Sequence, residues 1–567
     1  MPQEEICRNR IISENYRDFI VNQLRGNIFD SISSEELCEQ SMEYLYKTIY
    51  VDGTMADPIN FEKYAYNSVP KCFTLIDTEA LSQSGILQIQ NYPTLGLKGN
   101  GVLVGFIDTG IDYEDPVFRN IDGSTRILGI WDQSIQDGQP PQNFLYGTEY
   151  TKEMIDEALS SDNPKALVPT QDESGHGTFL ASVAAGGADV ENQFLGAAPE
   201  SKLAIVKLKP AKPYLKDFFY IPQEMPAYQE NDIMAAVEYL EETARKLGRP
   251  LILCLGLGTN NGSHSGGSNL SELLDDIAGR WRRCAVVATG NEANARHHFY
   301  GKSDGNSMVA VEVNVEQRMR GFYLELWASA PELFVVAVRS PGGTLMPAQN
   351  VPGNSHQEQE FIFEGTRVEI DYAQVGRTRG DQLVFIRFEN PAAGIWTLYV
   401  NPSTTITGQF HIWLPMSGML EKDVVFLRPD PDVTLTVPSS AKIPIGVGGM
   451  DQKSGILYLD SGRGNTIASV VKPDFVAPAV GVQAIGRLGN YVTLTGTSVA
   501  SAIAAGACAQ IMEWGNSRGR RLLLNSVQIG NILIRGCERN PDVSYPNTAW
   551  GYGKMNVYDA LMKFYGV

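Results

Sequence analysis

The chain has 567 residues, is 43% hydrophobic and 20% charged, and carries a net charge of -19. That balance describes a folded globular protein, and its acids, spread along the whole length, make a solvated surface that repels phosphate backbones; a nucleic-acid partner is excluded. The length allows two to four domains with a large apolar core.

No apolar run long enough to span a bilayer occurs, and the first residues, MPQEEICRNR, contain acids and no apolar leader. The expectation is therefore no membrane span, no secretory signal and synthesis in the cytoplasm. The seven cysteines are odd in number, far apart and without a CxxC pair. Neither a disulfide framework nor a zinc site is expected, which fits a reducing compartment. Cys254, Cys284 and Cys508 sit in apolar runs and read as small buried hydrophobes.

In chain order, residues 1–80 are rich in Glu, Asp and Tyr. SSEELCEQSMEYLYKTIY has helical periodicity, and KYAYNSVPKCFTLIDTEAL has the mixture of a strand segment. This predicts a small α+β module. From about residue 81, short apolar strands alternate with helical stretches: GVLVGFID, GHGTFLASVAAG, SKLAIVKL, ENDIMAAVEYLEETARKLG, PLILCLGLG, LSELLDDIAGRW and CAVVATGNE. Such alternation predicts an α/β domain with a parallel sheet covered by helices on both faces. Between 303 and 435 the pattern changes to period-2 runs such as MVAVEVNV, FYLELWA, QLVFIRFEN and GQFHIWLP, separated by Gly, Pro and Asn. Several short strands at this spacing predict an antiparallel β-sandwich. The core pattern returns over 436–567 with AKIPIGVGGM and TGTSVASAIAAGACAQIMEWG. The sandwich thus reads as an insertion into the α/β domain, giving a division at 1–80, 81–302, 303–435 and 436–567.

Three segments carry the residue types of nucleophilic catalysis. In GVLVGFIDTGIDY an apolar strand ends at Asp108, at the mouth of a parallel sheet, where such folds bind ligands. In DESGHGTFLASVAAG, His176 stands between glycines at the start of a small-residue helix, which lets another chain approach the ring. In YVTLTGTSVASAIAAGACA, Ser498 follows a Gly-Thr turn and opens an apolar helix. Any one of these has an ordinary explanation as a cap or turn residue. Together, in the order Asp, His, Ser, they match a known arrangement of the serine-protease triad.

The blocks IDTGID, GHGT and GTSVAS resemble the three signature segments of the subtilisin-like serine proteases, the subtilases, and VVATGNEA resembles that family's oxyanion segment. The resemblance covers about 85–300 and 436–560. It implies a subtilisin-like fold and a serine endopeptidase, with Asp108, His176 and Ser498 as the triad and Asn291 as oxyanion donor. LCLGLGTN, at 253–260, is similar to the family's substrate strand, so Leu257, Gly258, Thr289 and Gly290 are implied to line the peptide site. The chain departs from the family after the serine, where Ser501, Ala502 and Ile503 replace its usual residues; none is a triad member. The layout of an acidic N-terminal module, a jelly-roll-like sandwich after the oxyanion block and an intact triad resembles the clostridial Csp germination proteases within that family. It implies a retained prodomain, cut between about Asp77 and Gln90 by the enzyme itself and bound in cis or non-covalently. It also implies a protein or peptide substrate and an association with spores.

No cofactor is implied. His297 and His298 read as a surface pair rather than as a metal site, because neighbouring side chains diverge on a strand or loop. The acids of IDYEDP lack the spacing of a calcium loop, so no metal is expected. GLGTNNGSHSGGSN lacks the Lys-Ser/Thr of a phosphate loop and reads as a substrate-lining loop. The sandwich is expected to be a structural brace.

Overall fold

The structure is a computed structural model that describes residues 3–22, 38–42, 45–61, 63–75, 84–93, 95–349, 355–375, 380–516 and 522–565. At the N-terminus, helix α1 (Gln3–Ile12) precedes strands β1 (Tyr16–Asn22), β2 (Cys38–Met42) and β3 (Tyr46–Asp52), which form an antiparallel sheet in the order β1-β3-β2. The helix expected over this stretch is absent from residues 38–42 and 46–50. The reason is visible in β2, where Cys38, Gln40 and Met42 are buried and Glu39 and Ser41 exposed. Period 2 with one buried face is a strand pattern, and tertiary contact overrides the helical propensity of Glu, Met and Leu. Cys7 and Cys38 are joined as a disulfide, where the cysteine spacing offers no reason to expect a disulfide framework. The packing of α1 on the sheet brings together two residues that sequence spacing keeps apart. The segment then extends to β4 (Cys72–Leu75).

The core begins with β5 (Leu103–Asp108), β6 (Ile127–Asp132), β7 (Thr148–Thr151), helix α2 (His176–Ala185) and β8 (Lys202–Lys207). It continues through β9 (Tyr228–Gln229), α3 (Glu230–Lys246), β10 (Leu251–Leu255), β11 (Leu257–Gly258), α4 (Asn269–Gly279) and β12 (Arg283–Ala288). Two antiparallel sheets follow. Strands β13 (His298–Lys302), β14 (Gly321–Ala328) and β15 (Gln409–Trp413) lie in the order β13-β15-β14, extended by Asp381–Glu389, Thr366–Val375 and Ser355–Phe361. The facing sheet has five strands: Leu345–Met346, Leu333–Arg339, Gly394–Thr404, Val309–Val315 and Val424–Phe426. The core then resumes with β16 (Ile445–Met450), β17 (Phe475–Pro478) and α5 (Thr497–Asn516).

The core sheet has eight strands in the order β17-β16-β12-β10-β5-β8-β6-β7, parallel except for the β6–β7 pair. Helices α2 and α5 cover one face and α3 and α4 the other. Burial on both faces explains why β5, β10 and β12 read as continuous apolar runs. The chain leaves this sheet after β12 and returns to it at β16, which pairs directly with β12 through Val286 and Ile445.

Every residue of β14 is buried, because the strand has a core on each side. Phe322, Leu324 and Leu326 point between the two antiparallel sheets. Tyr323 and Trp327 point outward into a separate aromatic core, which also contains Phe19, Phe61 and Tyr66 from the N-terminal module and Phe218 and Phe219 from the segment after β8. Phe385 of the neighbouring strand completes it, with ring centroids 4.8 Å from Phe61 and 5.9 Å from Phe218.

The same junction holds most of the histidines. His264 stacks on Trp413 at 4.0 Å and 7°, and His298 and His411 flank Trp413, with His298 Nε2 2.9 Å from His411 Nδ1. His297 lies 2.9 Å from Glu292. Both residues of the His297–His298 pair are buried, so the surface pair expected from sequence is corrected: they do diverge, but into two packed environments. Burial pushes His264 and His411 down to about 4, since desolvation penalises the imidazolium. The unfolded chain binds protons at these sites near an ordinary value of about 6.5, so stability should fall as pH drops from about 6.5 through 4 and level off below. Chemical denaturation across that range should show the loss, and His411→Gln should reduce it while His264 keeps the rest.

Candidate active site

Asp108 ends β5, His176 opens α2 and Ser498 is the second residue of α5, so three separate elements meet at the carboxyl edge of the parallel sheet. His176 Nδ1 lies 2.7 Å from Asp108 Oδ1, and His176 Nε2 lies 3.4 Å from Ser498 Oγ. All three are buried. Asp108 Oδ1 also accepts the Thr109 amide at 2.8 Å, which fixes the carboxylate toward the ring. With Nδ1–H given to Asp108, Nε2 is the nitrogen turned to the serine hydroxyl. This is the geometry of a base that can take a proton from Ser498.

The glycines around His176 have specific jobs. A Cβ on Gly177 would come within 2.2 Å of Gly110 O, so only glycine lets α2 start against the end of β5. Gly175 holds a φ of 81°, in the left-handed region. Asp172, not singled out from sequence, organises this turn. It accepts from Thr109 Oγ1 at 2.7 Å and from the Gly175 amide, while its other oxygen accepts from the Thr178 amide and hydroxyl at 2.8 Å. DESGHGT contains the signal, an Asp four residues ahead of a helix-opening His, but its target Thr109 lies far away in sequence.

On the other side of Ser498, Asn291 follows Gly290, whose φ is 87°. Asn291 Oδ1 accepts the Thr497 amide at 3.1 Å and its hydroxyl at 3.3 Å, which fixes Nδ2 as the donating end of the amide. Thr497 Oγ1 in turn accepts the Gly290 amide at 3.0 Å. Thr497 therefore ties the Asn291 turn to the helix that carries Ser498. Thr289 and Gly290 pack on the same side, with their carbonyls taken by the Thr436 and Gly462 amides.

Leu257 and Gly258 form β11, and their partner is not a core strand. Antiparallel β4 pairs Leu75 with Leu257 and Thr74 with Gly258, and on its far side pairs Phe73 with Tyr228 and Cys72 with Gln229. The N-terminal module thus supplies the middle strand of β11-β4-β9. The direction of β4 leads past Leu257 toward Gly256, whose Cα faces Ser498 and His176. The role of β9 as the second wall was not visible in two residues of sequence.

Among the described residues no group of three His, Cys, Asp or Glu could hold a metal ion, and no helix is long and apolar enough to cross a membrane. The subtilase family model matches residues 99–367 and 428–553. Among solved structures, the CspB protease of Clostridium perfringens superposes with a TM-score of 0.75 and 28% identity, over 85% of this chain and 98% of that one. Membrane-bound transcription factor site-1 protease is 34% identical over 133 residues in Mus musculus and 33% in Homo sapiens, which is 22% of this chain and only 12% of those proteins.

A Cβ on Gly256 would lie 2.6 Å from Leu180 Cδ1, 3.2 Å from Ser498 Cβ and 3.4 Å from His176 Cε1. Gly256→Ala should push Leu180 Cδ1 aside and move Ser498 by a few tenths of an ångström while the His176 ring stays in ordinary contact, so the rate of Ser498 labelling by a fluorophosphonate should fall, but by well under the ~100-fold that a misplacement of ~1 Å costs. Circular dichroism should show the fold retained.

Proposed function

The chain belongs to the subtilase family and is a subtilisin-like serine endopeptidase; from that premise we propose that Asp108, His176 and Ser498 are its triad, that it cuts its own N-terminal segment, and that it then keeps that segment bound. The observation that carries this reading is the seating of Cys72–Leu75 as an extended strand between β11 and β9, running toward Ser498. A peptide to be cut would lie along the same strand, between Leu257–Gly258 and Tyr228–Gln229, with Thr289 and Gly290 beside the reacting carbonyl.

In this mechanism Ser498 Oγ attacks the carbonyl carbon while its proton passes to His176 Nε2. Asp108 holds the ring and stabilises the imidazolium. The Asn291 amide and the Ser498 backbone N–H receive the oxyanion, and His176 returns the proton to the leaving amine. Water then repeats the sequence on the acyl-enzyme.

The division into a prodomain-like module at 1–80, core segments at 81–302 and 436–567 and a sandwich at 303–435 belongs to the same proposal. The cut falls in the N-terminal part of the 77–90 window, soon after Leu75; residues 76–83 lie outside the described residues. Retention is supported by buried charge. Asp18 of β1 is paired with Lys212 and accepts from Gln229 Nε2 at 3.0 Å, and Lys71 lies 3.8 Å from Glu230. Departure of the module would strip Lys212 of its carboxylate partner and leave the Glu230 carboxylate with the Leu270 amide but no cation, at about 3–5 kcal/mol for a broken buried pair. The layout and the likeness to CspB support a protein zymogen of bacterial spore germination as the substrate. A second reading, an enzyme held silent by its own module, is favoured by the occupied cleft.

Wild-type protein should run as two fragments that co-elute, while Ser498→Ala should remain one chain. Fluorophosphonate labelling of Ser498 in the processed protein separates the readings, because a permanently blocked site stays unlabelled. An intact wild-type chain that hydrolyses peptides would overturn self-processing. For Asn291→Ala, kcat should fall about 100 to 1,000-fold with KM nearly constant, a range measured on subtilisin itself. A change confined to KM would assign Asn291 to substrate positioning.

A further inference from the structure

The inserted sandwich touches the wall of the peptide cleft at a buried carboxylate. Glu325, on β14, is 1% exposed. Tyr66 Oη of the N-terminal module lies 2.8 Å from both of its oxygens. Asn261 Nδ2 donates to Oε1 at 2.7 Å, and the Gly262 amide donates to Oε2 at 3.0 Å. Trp327 Nε1, two residues along β14, donates to Oε2 at 2.8 Å. Three parts of the molecule therefore converge on a single side chain.

Asn261 and Gly262 belong to the same run of chain as the peptide-binding pair Leu257–Gly258. The other end of the Asn261 amide is also held, since Oδ1 accepts from Tyr323 Oη and from Thr259 Oγ1, both at 2.9 Å. Thr259 is fastened to Val437 by two backbone bonds of 3.0 and 2.8 Å. Two neighbouring residues of β14, Tyr323 and Glu325, thus grip both ends of one amide in the cleft wall. A carboxylate accepts in several directions and donates in none, so a site of four converging donors fits Glu and not Gln. Burial, and then the facing carboxylate, raise Tyr66 well above the usual phenol range, which keeps its hydroxyl a donor.

We propose that Glu325 is a positioning residue for the peptide-binding strand: it holds Asn261 and Gly262, and through them Leu257–Gly258, in the extended form that a substrate chain pairs with. Through Tyr66 the same carboxylate links that form to the presence of the N-terminal module. The sandwich is then part of the substrate-binding apparatus rather than a brace alone. This rests on the reading of the β11–β9 groove as the peptide cleft.

The test is full-length Glu325→Gln against wild type, with amide exchange over 257–262 followed by mass spectrometry, Ser498 labelling by a small fluorophosphonate, and KM and kcat on an extended peptide. Exchange over 257–262 should quicken roughly tenfold or more and KM should rise to a similar degree, while kcat and labelling stay within about twofold. A folded variant with unchanged exchange in that segment overturns the proposal, as does one in which kcat and labelling fall together while KM holds. A purely structural role would speed exchange throughout the sandwich without a selective change in KM, which also counts against it. If Glu325→Gln does not accumulate folded, Tyr323→Phe carries the same measurements, because it removes only the sandwich hydroxyl from Asn261. Failure of the wild-type protein to label at Ser498 would defeat the protease reading, while the exchange comparison would still decide whether Glu325 sets this segment.

Discussion

The aromatic core around Phe61, Phe218 and Phe385 is the contact on which the arrangement of the whole molecule depends. It belongs to no single part: one ring comes from the N-terminal module, one from the segment after β8 and one from the inserted sandwich. Large aromatic side chains bury much area and interlock with specific geometry, so such a core fixes relative orientation as well as adding stability. Because β1, β3 and the segment leading to β4 are seated there, β4 enters the groove between β11 and β9 at a defined register. The position of the cleft strand is thus set some distance from the chemistry.

The polar contacts beneath that core work differently. Asp18 with Lys212 and Lys71 with Glu230 are buried pairs, and such pairs add little net stability over well-packed apolar residues, yet separating one is costly. They make the seated arrangement specific rather than merely favourable. Tyr66 with Glu325 follows the same logic with a neutral donor. Apolar packing supplies the attraction, and the charges reject other registers.

The parts legible in sequence are those whose signal is local. Asp108 at a strand end, His176 between glycines and Ser498 after Gly-Thr are each explained by their immediate neighbours, and the structure brings these three side chains within hydrogen-bonding reach. The alternation in FYLELWA was readable as a strand; that its second face is also buried was not, because that depends on which other elements arrive. Residues 38–50 misled because Glu, Met and Leu favour helices in isolation while the buried alternation of Cys38, Gln40 and Met42 decides the outcome. Asp172, Thr497 and Glu325 were missed for one reason: the partner that gives each its role, Thr109, Asn291 or Tyr66 respectively, lies tens to hundreds of residues away. The Cys7–Cys38 bond and the burial of His297 and His298 escaped notice for the same cause.

The return of β16 to the side of β12 has a consequence during synthesis. Val286 and Ile445 are neighbours in the sheet but leave the ribosome about 160 residues apart, roughly 8 to 30 seconds at ordinary translation rates of about 5–20 residues per second. For that interval the growing sheet ends at β12, whose free edge offers unpaired amides and carbonyls to any passing strand. The last sandwich strand, Val424–Phe426, emerges only 19 residues ahead of Ile445, so the two antiparallel sheets can close on their own core only in the last ~1–4 seconds of that interval. Through most of the wait, therefore, no folded element C-terminal to β12 stands ready to cover that edge.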